Sequence, residues 1–265
     1  MKPAAFRYVR AESVEEATAA LGEHEDAKVL AGGQSLVPAL SMRLVRPSVV
    51  VDVNRVPGLG EVESDDGCSL LVGATVRQAD PRLLGHPLLA EALPHVGHFV
   101  TRNRGTVCGS VAHADAAAEL PLCLALLDGS VRARSAGSER EISARDFFVT
   151  HYTTALAPGE LVVETRWPTP ADGWGYAFCE LSQRHGDYAL CMAGAAARGD
   201  ELRVAIGAVV DRPTVLEVDP ERPGASAAAQ VEPWGNLHAS AAYQRHLVAV
   251  LVDRAVRRAR ERSAR

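Results

Sequence analysis

Two glycine-bearing turns hold the residues of this 265-residue chain whose types and spacing best suit chemistry: Ala31-Gly32-Gly33-Gln34-Ser35-Leu36 and Arg102-Asn103-Arg104-Gly105-Thr106-Val107-Cys108-Gly109-Ser110. Adjacent glycines take positive φ without a Cβ penalty and point successive backbone N–H groups into one concavity, a geometry that suits phosphate oxygens. Ser35 adds a hydroxyl to the first turn, and Thr106 and Ser110 flank Gly109 in the second. One Gly-Gly pair is an ordinary loop feature. Two turns of matching chemistry point to a large dinucleotide held at two places. No G-x-G-x-x-G follows a strand and no G-x-x-x-x-G-K-[ST] occurs, so the scaffold is neither a Rossmann nor a P-loop fold.

The elements that must position these turns are readable in outline. Ser13-Val14-Glu15-Glu16 is a capping box, and Ala17, Ala20 and Leu21 follow at helical spacing, which predicts a helix over 14–22. A strand at 29–31 then leads into the first glycine turn, a short helix follows over 38–43, and a second strand at 49–53 completes a βαβ opening. Further strands are expected at 68–72, 74–76, 130–134 and 161–167, with helical pieces at 81–84 and 88–92. The apolar run Glu119–Leu127, with Pro121 early, predicts a buried helix beginning near Ala116.

Trp167-Pro-Thr-Pro-Ala-Asp-Gly-Trp-Gly175 concentrates prolines and glycines and marks a boundary, giving domains 1–172 and 173–265. Beyond it, 176–181, 189–197 and 202–210 have the length and apolar content of strands, and a three-stranded antiparallel sheet is the simple result. The Pro-, Ala-, Gly- and Ser-rich run 220–236 reads as an irregular connection. Tyr243, Leu247, Val250, Leu251, Arg254 and Val256 describe a final amphipathic helix.

Bulk properties exclude several classes of protein. With 47% hydrophobic residues the chain can bury a large core and is long enough for two domains. No apolar run approaches membrane-spanning length, and Met1–Arg10 lacks the apolar centre of a signal peptide, so the expected compartment is the cytoplasm. A net charge of -5 argues against nucleic acid as the main partner. The arginines at 254, 257, 258, 260, 262 and 265 are expected on the solvated face of the last helix, with favourable placement in its dipole. Cys68, Cys108, Cys123, Cys179 and Cys191 form no C-x-x-C set, so no iron–sulfur or zinc site is expected. His95 with His98, and His113 with Asp115, lack further ligands and read as surface or capping groups.

Three strings, AGGQSLVPAL at 31–40, RNRGTVCGSVAHADAAAELP at 102–121 and QRHGDYAL at 183–190, together resemble the FAD-binding medium subunits of the molybdenum hydroxylases, of xanthine dehydrogenase and carbon monoxide dehydrogenase type. The likeness runs from MKPAAFRYVRAESVEEA to LHASAAYQRHLVAVLVDRAV. It implies an α+β fold: a two-lobed FAD-binding domain of the vanillyl-alcohol-oxidase/PCMH type, then a small domain with the three-stranded sheet and helices.

The resemblance also implies roles. Gly32, Gly33, Gln34 and Ser35, with Leu36 beside them, would wrap the FAD pyrophosphate. Thr106, Gly109 and Ser110 would lie along the ribityl chain and flavin. Glu119 would bond ribityl hydroxyls, with Asp115 and His113 in the same motif; its alternative is an acid at a helix N-terminus. Tyr188 would reach back to stack on the flavin, and Arg184 with Asp187 would lock the domain interface, the alternative being a structural pair and a core tyrosine.

Two positions depart from the family pattern. Cys108 stands where many relatives have glycine and would carry a side chain beside the cofactor. Cys179 lies near where some relatives place a lysine close to the flavin. A chain with FAD and no cluster ligands implies partners, a molybdenum-cofactor large subunit and a 2Fe–2S small subunit in a dimer of heterotrimers, and a role in passing electrons to NAD, quinone or oxygen. A standalone FAD-dependent oxidoreductase and a flavin-free interaction protein on the same scaffold are the alternatives.

Overall fold

Ser13 begins the first helix as its capping box requires. In the computed structural model, which describes residues 2–263, its hydroxyl accepts the Glu16 N–H at the start of α1 (Val14–Gly22). Glu16 reaches back to the amide of Glu12 instead of that of Ser13. α1 crosses from β1 (Arg7–Arg10) to β2 (Lys28–Leu30), and α2 (Leu36–Ser41) leads from β2 to β3 (Val49–Asp52). The three strands are parallel in the order β1-β3-β2. β3 is central, which is why Val49, Val50 and Val51 are all buried without alternation. α2 starts and ends two residues earlier than expected. Pro38 falls in its first turn, where no hydrogen bond is lost, and Arg43 at φ 58° lies beyond its end.

A five-stranded antiparallel sheet forms the second layer, in the order β4-β5-β10-β6-β7. Its strands are β4 (Val62–Asp65), β5 (Ser69–Gly73), β6 (Ser130–Ser135), β7 (Ser138–Ser143) and β10 (Leu161–Pro168). Between β5 and β6 run α3 (Pro87–Ala92), α4 (Phe99–Arg102), α5 (Val107–His113) and α6 (Glu119–Leu126). After β7 come α7 (Ala144–Phe147) and the small pair β8 (Phe148–Thr150) and β9 (Thr153–Thr154). Residues 74–76 join no ladder; Ala74 and Thr75 donate singly to Val163 and Leu59. All eight residues of α6 are buried. The helix begins at Glu119 and not near Ala116, because the Asp115 carboxylate accepts the Ala117 N–H at 2.9 Å and the Asp115 carbonyl accepts that of Ala118, a side-chain turn that holds 115–118 outside the helix.

The last sheet has four antiparallel strands and not the expected three: β11 (Gly175–Ser182), β12 (Ala189–Arg198), β13 (Glu201–Gly207) and β14 (Thr214–Leu216). β14 is three residues long and follows Pro213, too short to show alternation. α8 (Pro223–Ala229) occupies the run expected to be irregular, since Pro at the first turn and alanines after it favour helix. A Cβ on Gly224 would strike the Ala249 carbonyl, so glycine lets α8 approach α9 (Ala241–Ser263).

α9 buries Leu247, Val248, Leu251, Val252, Ala255, Val256 and Ala259, so its apolar stripe is rotated away from the expected Tyr243 and Val250, which are exposed. Several of its arginines are bonded and not merely solvated: Arg258 to the Cys179 sulfur, Arg260 to the Pro220 carbonyl, Arg262 to Glu91 and the Tyr176 carbonyl. Arg265 lies outside the described residues. Along β11 the side chains alternate. Tyr176 and Phe178 join the core shared with the five-stranded sheet, while Ala177 and Cys179 join a second core against α9.

Candidate functional site

The two glycine turns meet. A Cβ on Gly32 would fall on the Arg104 carbonyl and within 2.7 Å of the Gly105 Cα, so the loops touch backbone to backbone. Gly33 sits at φ +70°, a conformation few side chains adopt. Gln34 folds onto its own loop, its amide donating to the Gly32 carbonyl at 3.2 Å. Ser35 precedes α2 without a side-chain cap bond, and Leu36 opens that helix. Gly32, Gly33, Gln34, Asn54 and Arg104 line one cleft of about 390 Å³.

A network that sequence reasoning missed fixes the spacing of the loops. The Asn54 amide donates to the Ala31 carbonyl at 2.8 Å and to Asp52 at 2.7 Å. Arg77 donates to the Asn54 side-chain oxygen and to the Arg104 carbonyl, both at 2.6 Å. Asp52 also accepts from the Tyr8 hydroxyl at 2.5 Å. Burial raises the Asp52 carboxyl, but the bonds from Tyr8 and Asn54 outweigh it and leave the group below its ordinary value. A pyrophosphate needs amides unobstructed by Cβ atoms and no free carboxylate before it. Gly32 and Gly33 meet the first need, and Asp52, which stays ionised, has its charge offset by the neighbouring Arg77.

The second turn leads into α5. Thr106 is buried, and its oxygen accepts the Gly109 N–H at 3.1 Å as the helix cap. Gly109 packs against that hydroxyl, and Ser110 is half-buried on the first turn of α5. Cys108 does not face the cleft: it is buried, with its sulfur 3.2 Å from the Val72 carbonyl and 3.5 Å from Thr165. Burial pushes its thiol up to about 12. Cys179 also faces inward, toward Arg258 on α9.

Carboxylates gather at the far end of the motif. Asp115 is buried and accepts from the Tyr152 hydroxyl at 3.1 Å, with His151 at 3.7 Å. Ala114 and Tyr152 both adopt left-handed backbone and are joined by a Tyr152 N–H to Ala114 carbonyl bond. His113 is exposed beside the Tyr152 ring. Glu119 is buried at the first position of α6, and burial pushes its carboxyl up to about 7.

Arg184 and Asp187 pair at 3.0 Å within their own turn, with the Arg184 side chain 82% exposed. They are a local pair, not a lock between two parts of the chain. The contact that does cross is made by a glycine: a Cβ on Gly186 would lie 2.8 Å from the His98 ring and 2.9 Å from the Gly97 carbonyl. Tyr188 is 69% exposed, so it is no core tyrosine; burial and then the charges of Asp115 and Glu119 raise its phenol. Among the described residues no group of three or more His, Cys, Asp or Glu is placed to hold a metal ion, and no helix is long and apolar enough to cross a membrane.

Comparison with known proteins defines the class. Residues 4–170 match the family described as the FAD binding domain in molybdopterin dehydrogenase. Over 99% of its length the chain is 39% identical to the 6-hydroxypseudooxynicotine dehydrogenase complex subunit alpha of Paenarthrobacter nicotinovorans, of which it covers 97%. Among solved structures it is similar to quinoline 2-oxidoreductase from Pseudomonas putida 86, with TM-score 0.90, 36% identity and 100% of both chains covered. It is also similar to carbon monoxide dehydrogenase from Hydrogenophaga pseudoflava, with TM-score 0.93, 30% identity and 99% of both chains covered. The chain belongs to the FAD-binding medium subunits of the molybdenum hydroxylases, and FAD is its cofactor.

Proposed function

We propose that this chain is the electron-transfer subunit of a heterotrimeric molybdenum hydroxylase, passing electrons from the iron–sulfur clusters of a small 2Fe–2S subunit to an external acceptor while a molybdenum-cofactor large subunit selects the substrate. The observation that carries the reading is the backbone contact of Gly32 with Arg104 and Gly105, which brings the two glycine turns together at one cleft. FAD supplies the conversion between paired and single electrons. This chain's residues would hold it. Gly32, Gly33, Gln34 and Ser35, with Leu36, would receive the pyrophosphate through backbone amides. Ser110 and Gly109 would lie along the ribityl chain, with Thr106 as the cap that shapes their turn. Glu119 and Asp115 would accept from hydroxyls, and Tyr188 would cover a ring face. Arg184 and Asp187 would shape the turn that presents Tyr188.

The assembly would be a cytoplasmic dimer of heterotrimers, and the chain would divide into an FAD-binding domain over 1–172 and a second domain over 173–265. The test is co-expression with the two partner subunits, followed by size-exclusion chromatography and acceptor-reduction assays on the complex and on the chain alone. The chain alone is expected to release yellow cofactor on heat denaturation and to show no hydroxylase turnover. Sustained turnover of a small metabolite by the chain alone would overturn the subunit reading in favour of a standalone oxidoreductase.

A further inference from the structure

Four arginines gather around the first glycine cleft, and three of them carry no ion pair. Among the described residues that line the cleft, Arg104 is the one cation, and it is exposed. Arg77 is half-buried, and burial, then the charge of Arg104, lower its pKa, so the two guanidinium groups feel each other. Arg10, at the end of β1, and Arg55, after β3, are exposed and close enough for their charges to act on the Tyr8 hydroxyl; Arg10 acts on Asp52 as well. Among the described residues Arg10, Arg55 and Arg104 enter no salt bridge.

The charges at the cleft do not balance. Asp52 is the one carboxylate in its lining, and it is bonded by Tyr8 and Asn54. Arg77 offsets that charge, and both of its terminal nitrogens are engaged, one by the Arg104 carbonyl and the other by the Asn54 side-chain oxygen. The Arg104 side chain is therefore surplus positive charge beside glycine amides, in a chain whose net charge is -5. Its backbone is fixed even so. Arg77 holds its carbonyl at 2.6 Å, and Gly32 packs so closely on that oxygen that no Cβ fits. An unpaired guanidinium on an anchored backbone presents a fork of donors that matches phosphate oxygens.

We propose that Arg104 is a cofactor-binding residue whose guanidinium holds the pyrophosphate against the amides of Gly32 and Gly33, while Arg10 and Arg55 draw the anion in from a distance. The proposal rests on the flavoprotein reading above. Position divides the labour, because Arg104 lines the cleft and Arg10 and Arg55 do not. A charge that touches the ligand governs its release, and a charge at the rim governs its arrival. A pyrophosphate in the cleft would also supply the negative charge that the lining lacks, and so relieve the repulsion between Arg104 and Arg77.

The experiment is stopped-flow flavin fluorescence on the full apo chain, measuring association and release of FAD in the unmodified protein and in Arg104→Gln, Arg104→Lys, Arg10→Gln and Arg55→Gln. Uptake by the unmodified chain is measured first: a chain that takes up no FAD sinks the flavoprotein reading and this proposal with it. With uptake established, the variants test this proposal alone. Arg104→Gln is expected to release FAD about tenfold faster, with an apo Tm close to that of the unmodified chain. Arg104→Lys keeps the charge without the fork and should fall between the two. Arg10→Gln and Arg55→Gln should slow association at low salt and leave release unchanged, and the slowing should vanish as salt screens the field. An unchanged release rate in Arg104→Gln would overturn the proposal. Equal acceleration of release in Arg55→Gln would overturn it too, by making Arg104 one part of a diffuse field. A matching fall in apo Tm in both Arg104 variants would do the same, by making the side chain a structural support.

Discussion

The cleft at Gly32 and the buried acids Glu119 and Glu180 handle charge in opposite ways. Around Gly32 the polar atoms are backbone amides, the lining cation is Arg104, and the lining carboxylate, Asp52, is bonded by Tyr8 and Asn54. Around Glu119 and Glu180 the acids are buried with raised pKa, and the one cation acting on Glu119, Arg102, does not outweigh its burial. A ligand that fits both must carry phosphate at one place and hydroxyls that can donate at another. FAD has both, since its central pyrophosphate is joined to a ribityl chain whose hydroxyls can donate to the acids. The regions differ in tolerance as well, since the first depends on close backbone contact and the second on solvation.

The first region should therefore break most sharply. Gly32→Ala places a methyl on the Arg104 carbonyl and forces the loops apart. FAD affinity is expected to fall by about a hundredfold, equivalent to about 3 kcal/mol, in a flavin-fluorescence titration of the apo chain. Near-normal affinity in a folded Gly32→Ala protein would show that the two turns do not act as one site.

Arg77→Leu should have the next largest effect, because it removes both bonds that tie Asn54 to the second loop while leaving every glycine in place. About a tenfold loss of FAD affinity is expected, with little change in the Tm of the apo chain. An equal loss of apo stability would make the network a general support and not a device for spacing the loops. Asn54→Ala should reproduce the affinity loss, since it breaks the same chain from its centre.

How much of this was legible depends on how local each signal is. The capping box at Ser13, the β2–glycine-turn–α2 sequence and the buried α6 are written in neighbouring residues and fold nearly as the sequence predicts. The Asp115 side-chain turn shifts the start of α6 by three residues, a competition between side chain and helix that apolar patterning does not register. α8 was hidden because its alanines and glycine resemble a linker until α9 covers them. The Tyr8–Asp52–Asn54–Arg77 network joins four separated segments, so no spacing signals it. Glu180 is the extreme case: its significance lies in the partners it lacks, which only the packing of β11 against the Leu93–His95 turn defines.

The acidic region can be tested through stability alone. Glu119 and Glu180 bind their protons more tightly in the folded chain than in the unfolded one, where both return to about 4.5. Their contribution is therefore fully present below pH ~4.5 and is lost as pH rises through 7 and 8. The apo chain should lose several degrees of Tm between pH 5.5 and 8.5 in calorimetry. Glu180→Gln should flatten that fall, because the amide has no proton to lose. An unchanged slope in Glu180→Gln would mean that the carboxyl is solvated in solution, which would also weaken its contrast with the glycine cleft.

The smallest effect is expected at the ion pair that sequence reasoning placed between domains. Arg184 meets Asp187 three residues away, and its side chain stands in solvent, so the pair gains little Coulomb energy and orders two mobile side chains to obtain it. Arg184→Ala should change folding stability and FAD affinity by no more than about 0.5 kcal/mol each. Gly186→Ala, by contrast, must intrude on His98 and the Gly97 carbonyl from a φ of +86°, so it should disturb the docking of the turn and, through it, the placement of Tyr188. Measuring both variants in the same flavin titration separates charge from shape. If Arg184→Ala proves the more damaging, the turn is held by its ion pair after all, and Tyr188 is presented by electrostatics and not by the fit of a glycine against the Gly97 carbonyl and the His98 ring.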